Sequence, residues 1–147
     1  MSTLTPDDPR RYPKSPIVIA TVLVRKEDKV LLVKRGGEPF KGLWAPPGGG
    51  IDLGEPVVDG GKRQLREETG IDAEIEGVQE VEDYIHHDTE GKVEAHLVII
   101  RLLGRYVGGI AKADSDADEV GWYAIDELEN LPLRPGVREL SIQAMSK

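Results

Sequence analysis

The sequence predicts an α/β sandwich built on a mixed β-sheet. Apolar, β-branched runs recur along the chain, with Leu97-Val98-Ile99-Ile100 the densest. Helical segments fall between and after these runs. Residues 56–69 carry both a helix start and a helix stop.

The elements follow in order. Residues 17–25, rich in Val, Ile and Thr, read as a buried strand. Glu27-Asp28 suits a turn, and residues 29–35 a second strand carrying Val30, Leu31, Leu32 and Val33. A loop spans 36–41. Residues 43–51 contain Pro46-Pro47-Gly48-Gly49-Gly50, which predicts a sharp bend and a close approach of backbone. Glu55 precedes the helix, Pro56 suits its first position and Gly70 its stop. Residues 73–86 are extended, 88–91 a turn and 93–106 a central strand. A Gly/Asp/Ser-rich loop covers 108–118, and 119–125 form a short strand whose Trp122 and Tyr123 should pack in the sheet layer. Asp126 is placed to cap a brief helix through Asn130, and 137–145 form a terminal helix.

The chain has 147 residues, which suits one domain. Residues 1–15, polar and interrupted by Pro6, Pro9 and Pro13, read as a flexible N-terminal arm, and 16–147 as the domain. No cysteine is present, so disulfides and thiolate chemistry are excluded and a cytoplasmic location is expected. No run approaches the roughly 18 apolar residues of a membrane span. The net charge is −8 with no basic stripe, which argues against a nucleic-acid polymer as partner. An anionic substrate would need its charge offset, and divalent cations do this.

The informative segment begins at Gly49. Five residues later comes Glu55, and after seven more comes Arg63-Gln64-Leu65-Arg66-Glu67-Glu68-Thr69-Gly70-Ile71. Val57, Val58, Gly61 and Leu65 should share the packing face of this helix. Gln64, Glu67 and Glu68 share an adjacent face, where clustered oxygens suit a hard divalent cation. Arg63 lies one turn from Glu67 and can orient it. The Gly48-Gly49-Gly50 bend can offer a backbone carbonyl at the same spot. Gly61 would permit close approach to the sheet, and Gly60 would leave room beneath Gln64 for metal or water.

This spacing resembles the Nudix box, G-x5-E-x7-R-E-U-x-E-E-x-G-U with U aliphatic. Each fixed position matches except Gln64, where the family has Glu. The resemblance implies a Nudix-type α/β/α sandwich with a mixed sheet. It implies Mg²⁺- or Mn²⁺-dependent hydrolysis of the pyrophosphate linkage in a nucleoside diphosphate derivative or a nucleoside triphosphate. By position, Glu67 and Glu68 are metal ligands, with Gln64 and the Gly48 carbonyl beside them. Glu55 and Gly49 support the site, and Arg63 orients the glutamates. Family members often add an acidic residue before a Trp-bearing strand. Glu119, in Asp118-Glu119-Val120-Gly121-Trp122, fits as a further ligand or general base. Homodimers are common in the family.

Glutamine keeps the shape of the missing glutamate but cannot take a proton from water. Three readings stay open: an engineered change, a natural variant with its base elsewhere, and a catalytically impaired nucleotide-binding module. Phe40, Trp44 and Tyr84 are candidates to stack on a base or sugar of a small nucleotide-like substrate. Arg35 and Lys41 are candidates for phosphate. His86, His87 and His96 lack a metal-ligand spacing. Sixteen residues beyond the box, where ADP-ribose-cleaving members carry proline, stands His87.

Overall fold

A computed structural model describes residues 4–146. Seven strands form one mixed sheet: β1 (Ile17–Lys26), β2 (Lys29–Arg35), β3 (Trp44–Ala45), β4 (Gly48–Gly50), β5 (Asp72–His87), β6 (Val93–Gly108) and β7 (Ala117–Ala124). Helix α1 (Val57–Thr69) follows β4, and α2 (Val137–Met145) closes the described chain after a 3₁₀ turn at Ile125–Asn130. The order is β3-β2-β1-β6-β5, with β4 paired to β1 and β7 to β2. The β1–β6 pair is parallel and the others antiparallel.

Alternation along the strands divides the core. Val22, Val24, Leu31 and Leu102 pack with Leu65 of α1. Leu23, Val30, Leu32 and Leu103 pack with Val137, Leu140 and Ala144 of α2. A helix thus covers each face, which is the sandwich expected from the sequence. Among the described residues, no helix is long and apolar enough to cross a membrane.

The sheet forks. β1 and β2 are in register at Arg25↔Val30 and Lys26↔Lys29, by their turn. Further along, β4 takes the place beside β1 at Ile19, Ala20 and Thr21. A cleft of about 770 Å³ opens in this fork.

Three local expectations are corrected. Val58 is 43% exposed; Gly61 and Leu65 are buried and Val57 packs beside them as expected, with Gly60, Glu68 and Thr69 also on the buried side of α1. The space at Gly60 is filled, because a Cβ there would stand 2.5 Å from Ile51 Cγ2 and 2.9 Å from Glu55 Oε1. Glu127, not Asp126, reaches back to the start of the 3₁₀ turn, accepting from the Ala124 N–H at 2.8 Å. The N-terminal arm touches the domain at a few points, while most residues from Thr5 to Pro16 are exposed. Leu4 is buried against Tyr84, Leu97 and Ile99, and the Tyr12 N–H donates to the Glu94 carbonyl at 2.8 Å. Residues 1–3 lie outside the described residues.

Candidate active site

α1 is placed by its two ends and its glycines. Pro56 caps the start in an extended conformation, and Gly70 ends it at φ 73°, with its N–H bonded to the Arg66 carbonyl at 2.9 Å. Gly61 lets the helix settle on Val22 and Leu102, where a Cβ would meet Leu102 Cδ1 at 2.9 Å. The opposite turn faces β4. A Cβ on Gly49 would stand 2.7 Å from the Gln64 amide, so glycine is what lets that side chain lie across the strand. In the β1–β4 ladder, Pro47 accepts from Val22 and Ile51 donates to Val18. Gly48 and Gly50 between them therefore turn their backbone groups away from β1. The Gly50 carbonyl accepts from Gln64 Nε2 at 3.0 Å and Arg63 Nη2 at 3.1 Å. The Gly48 N–H donates to Glu68.

Arg63 is the hub of the supporting groups. Its Nε and Nη2 grip both oxygens of Glu55 at 2.8 and 2.9 Å, while Nη1 donates to Glu67 at 3.2 Å. Glu55 also accepts from the Asp52 N–H at 2.9 Å. The Arg63 bonds, then the Asp52 bond, hold Glu55 down at about 2, and Glu55 in turn raises the Arg63 guanidinium.

Glu67 and Glu68 adjoin in sequence but differ in setting. The Glu67 side chain is 49% exposed and turned toward Arg63. Glu68 is 5% exposed at the cleft floor. Desolvation pushes Glu68 up to about 7; the Gly48 N–H opposes this, and nearby Asp116 adds to it. Thr21 also lines the floor, and its buried Oγ1 has no hydrogen-bond partner among the described residues.

The other wall is apolar and then cationic. Ile17, Ile19, Leu97 and Ile99 lead to the edge-to-face pair Phe40–Tyr84, with ring centroids 6.0 Å apart. Arg134 lies over the Phe40 ring at 4.5 Å. Arg10, Arg35 and Arg101 also line the cleft.

The structure thus gathers Gln64, Glu68, Gly48, Gly49, Arg35, Phe40 and Tyr84 around one cleft, with Arg63 and Glu55 bracing α1. Two expected residues fall elsewhere. Trp44 pairs with Lys34 across β3–β2, points away from the cleft and packs edge-to-face on Tyr123 at 5.4 Å in the α2-side core. Glu119 also pairs with Lys34; its side chain is 60% exposed and lies 3.4 Å from Lys34 Nζ. The reason is shared. Val33 faces the cleft, so its neighbour Lys34 and the partners of Lys34 face the other way. From the segment around Glu119, the acid that reaches the cleft is Asp116, which sequence reasoning missed. The placing of Trp122 in the sheet layer held the signal. Glu119 lies an odd number of places from Trp122, hence on the opposite face of β7.

The donors near Glu68 are all oxygens: two carboxylates, the Gln64 amide, the Thr21 hydroxyl and glycine carbonyls. That chemistry suits a hard cation. A cation would also relieve a carboxylate whose charge burial disfavours. Among the described residues, no three Asp, Glu or His side chains are close enough to form an ion cage alone. The amide, hydroxyl and backbone oxygens, or Glu67 swung from Arg63, would have to complete the shell.

Residues 14–143 match the NUDIX domain family model. An ADP-ribose pyrophosphatase of Methanocaldococcus jannaschii is 34% identical over 117 residues, which are 80% of this chain and 65% of that protein. The uncharacterized Nudix hydrolase YvcI of Bacillus subtilis is 30% identical over 118 residues, 80% of this chain and 72% of the relative. A MutT NUDIX hydrolase from Burkholderia pseudomallei superposes with a TM-score of 0.73 at 30% identity, covering 88% of this chain and 98% of that one.

Proposed function

The chain belongs to the Nudix family, and on that footing we propose that it hydrolyses the pyrophosphate linkage of a small nucleotide with the help of a divalent cation. The observation that carries the reading is Glu68. It is a carboxylate buried at the floor of a cleft, beside Asp116 and the Gly48-Gly49-Gly50 bend, facing arginines. Such a group is costly to keep charged unless something positive binds it. Relatives named as hydrolases, one of them an ADP-ribose pyrophosphatase, support the same chemistry.

Glu68, the Gln64 amide oxygen and the Gly48 carbonyl would hold Mg²⁺ or Mn²⁺, with Glu67 or Asp116 completing the set. The bound ion supplies charge neutralisation on phosphate oxygens and a more acidic water. Arg63 fixes α1 and the Gly50 carbonyl, so these donors keep their spacing. Gln64 cannot accept a proton. Asp116 is the carboxylate placed to do so, since Glu119 faces away. Phe40 and Tyr84 offer an aromatic wall for base or sugar.

Hydrolysis of a panel of nucleoside diphosphate derivatives and triphosphates with Mg²⁺ or Mn²⁺ tests the reading. The chain and Gln64→Glu are compared. Gln64 donates to the Gly50 carbonyl; a carboxylate cannot, so the side chain introduced by Gln64→Glu would turn into the cleft. We expect measurable turnover by the chain and an increase of about 100-fold in Gln64→Glu, the low end of what one added general base supplies. Nucleotide binding without turnover in either protein would support the binding-module reading instead.

A further inference from the structure

Three arginines converge on the cleft from separate elements: Arg10 from the N-terminal arm, Arg35 from the end of β2 and Arg134 from the segment before α2. Two of them have carboxylate partners. Asp8 lies 2.7 Å from Arg10, and Glu82 lies 3.1 Å from Arg134. Arg35 is different. Its Nε donates to the Pro39 carbonyl at 2.8 Å, and among the described residues no carboxylate forms an ion pair with it.

Its electrostatic setting agrees. Burial depresses the Arg35 guanidinium, and Arg134 depresses it further; Glu68 favours its charge, Arg10 opposes it and Asp116 favours it. Arg35 therefore stands between a cationic group and the carboxylates of the floor. A half-buried guanidinium with cationic neighbours, and with the carboxylates Glu68 and Asp116 nearby but not in ion-pair contact, is incompletely compensated by itself. The arrangement is a favourable one around an oxyanion such as a phosphoryl group, two of whose oxygens match the guanidinium fork.

Arg10 is held in place there. Asp8 accepts from its backbone N–H, Nε and Nη2 at 2.8, 3.0 and 2.7 Å, and Nη2 also donates to the Glu38 carbonyl at 2.8 Å. The buried Leu4 anchors the same arm.

We propose that Arg35, flanked by Arg10 and Arg134, binds a phosphoryl group beyond the pyrophosphate that is cut. The cleft thereby selects a nucleotide with three linked phosphates over a pyrophosphate capped at both ends by sugars. A pyrophosphate diester has no terminal phosphoryl group to fill such a fork; a triphosphate does. The proposal rests on the hydrolase reading for which bond is cut, but the anion site itself does not need metal or turnover.

Two measurements separate the claims. In the first, inorganic tripolyphosphate is titrated calorimetrically into the metal-free chain in EDTA, and into Arg35→Gln, Arg10→Gln and Glu68→Gln. Binding should weaken about tenfold in Arg35→Gln, the cost of one charge-assisted fork. It should weaken less in Arg10→Gln and be retained or tightened in Glu68→Gln. Equal binding by the chain, Arg35→Gln and Arg10→Gln overturns the proposal. Arg10 is partly exposed, so its variant keeps the test alive should Arg35→Gln fold poorly.

In the second, kcat/KM is measured with Mg²⁺ for a nucleoside triphosphate and for ADP-ribose. The triphosphate should be preferred, and the ratio should fall about tenfold in Arg35→Gln. Preference for ADP-ribose, or an unmoved ratio, sinks the proposal while leaving the hydrolase reading intact. Arg35-dependent tripolyphosphate binding with no turnover of any nucleotide sinks the hydrolase reading and leaves the anion site standing.

Discussion

Two glutamates sunk into this molecule titrate in opposite directions. Glu82, on β5, accepts from Arg101 at 2.6 Å and from Arg134 at 3.1 and 3.2 Å. Burial pushes its carboxyl up, but the bonds from Arg134 and Arg101 outweigh burial and hold it below the usual range. Glu68, on α1, has a single backbone N–H and an acidic neighbour, and burial takes it to about 7. The first carboxylate has its counter-ions built in, and its work is to place two arginines beside the cleft. The second has only Arg35 nearby, with no guanidinium bonded to it, so it is open to a cation from outside. Side-chain type does not separate structural from chemical acids here; the partners do.

The largest expected effect breaks the Glu82 half of the comparison. Glu82→Ala strands the Arg134 guanidinium, 8% exposed, and leaves that of Arg101, 4% exposed, with only Glu80 at 3.4 Å. Breaking a buried pair costs about 3–5 kcal/mol, and the partial exposure of Glu82 lowers this to about 2–3. Thermal unfolding should show Tm lower by roughly 5–10 °C. An unchanged Tm would mean that Arg101 and Arg134 find other partners, and that the contrast with Glu68 is overstated.

Much of this was legible in sequence, and the failures have one physical origin. Strand positions, the α1 boundaries and the Gly49-to-Ile71 spacing follow from local periodicity and capping, which a sequence carries directly. Which face of a strand meets the cleft does not. Trp44 and Glu119 were expected in the site, yet both pair with Lys34 and share its side of the sheet. The register shift between Lys34 and Arg35 brings Arg35 opposite Ala117, next to Asp116. A bulge has no strong sequence mark here. The Leu4 contact was hidden likewise, since Leu4 is one apolar residue in a polar stretch.

The Glu68 half predicts a pH dependence of the metal-free protein. The folded state holds a proton on Glu68 at pH values where the unfolded chain has released it. Stability is therefore highest in acid and is lost as pH rises from about 4.5 through about 7. The loss is on the order of 2–3 kcal/mol. Melting curves in EDTA should record a falling Tm across that window, beyond any slope in Glu68→Gln, which carries no titrating group there. Added Mg²⁺ should restore the Tm of the chain above pH 7 and leave Glu68→Gln unmoved. Parallel curves for the two proteins would show that Glu68 titrates normally and has no need of a cation.

The smallest expected change in stability concerns Glu67, the immediate neighbour. Its contact with Arg63 is an exposed pair at 3.2 Å across one helical turn, worth about 0.3–0.5 kcal/mol in general. Glu67→Gln should therefore shift Tm by about 1–2 °C. Activity separates two roles for this residue. As a metal ligand, Glu67 must leave Arg63, and its loss should raise the Mg²⁺ concentration needed for half-maximal turnover about tenfold. As a brace for Arg63, its loss would lower kcat at every Mg²⁺ concentration by the same factor. Glu55 already grips Arg63 through both oxygens, so the arginine stays placed without Glu67. The metal shift is accordingly the expected result.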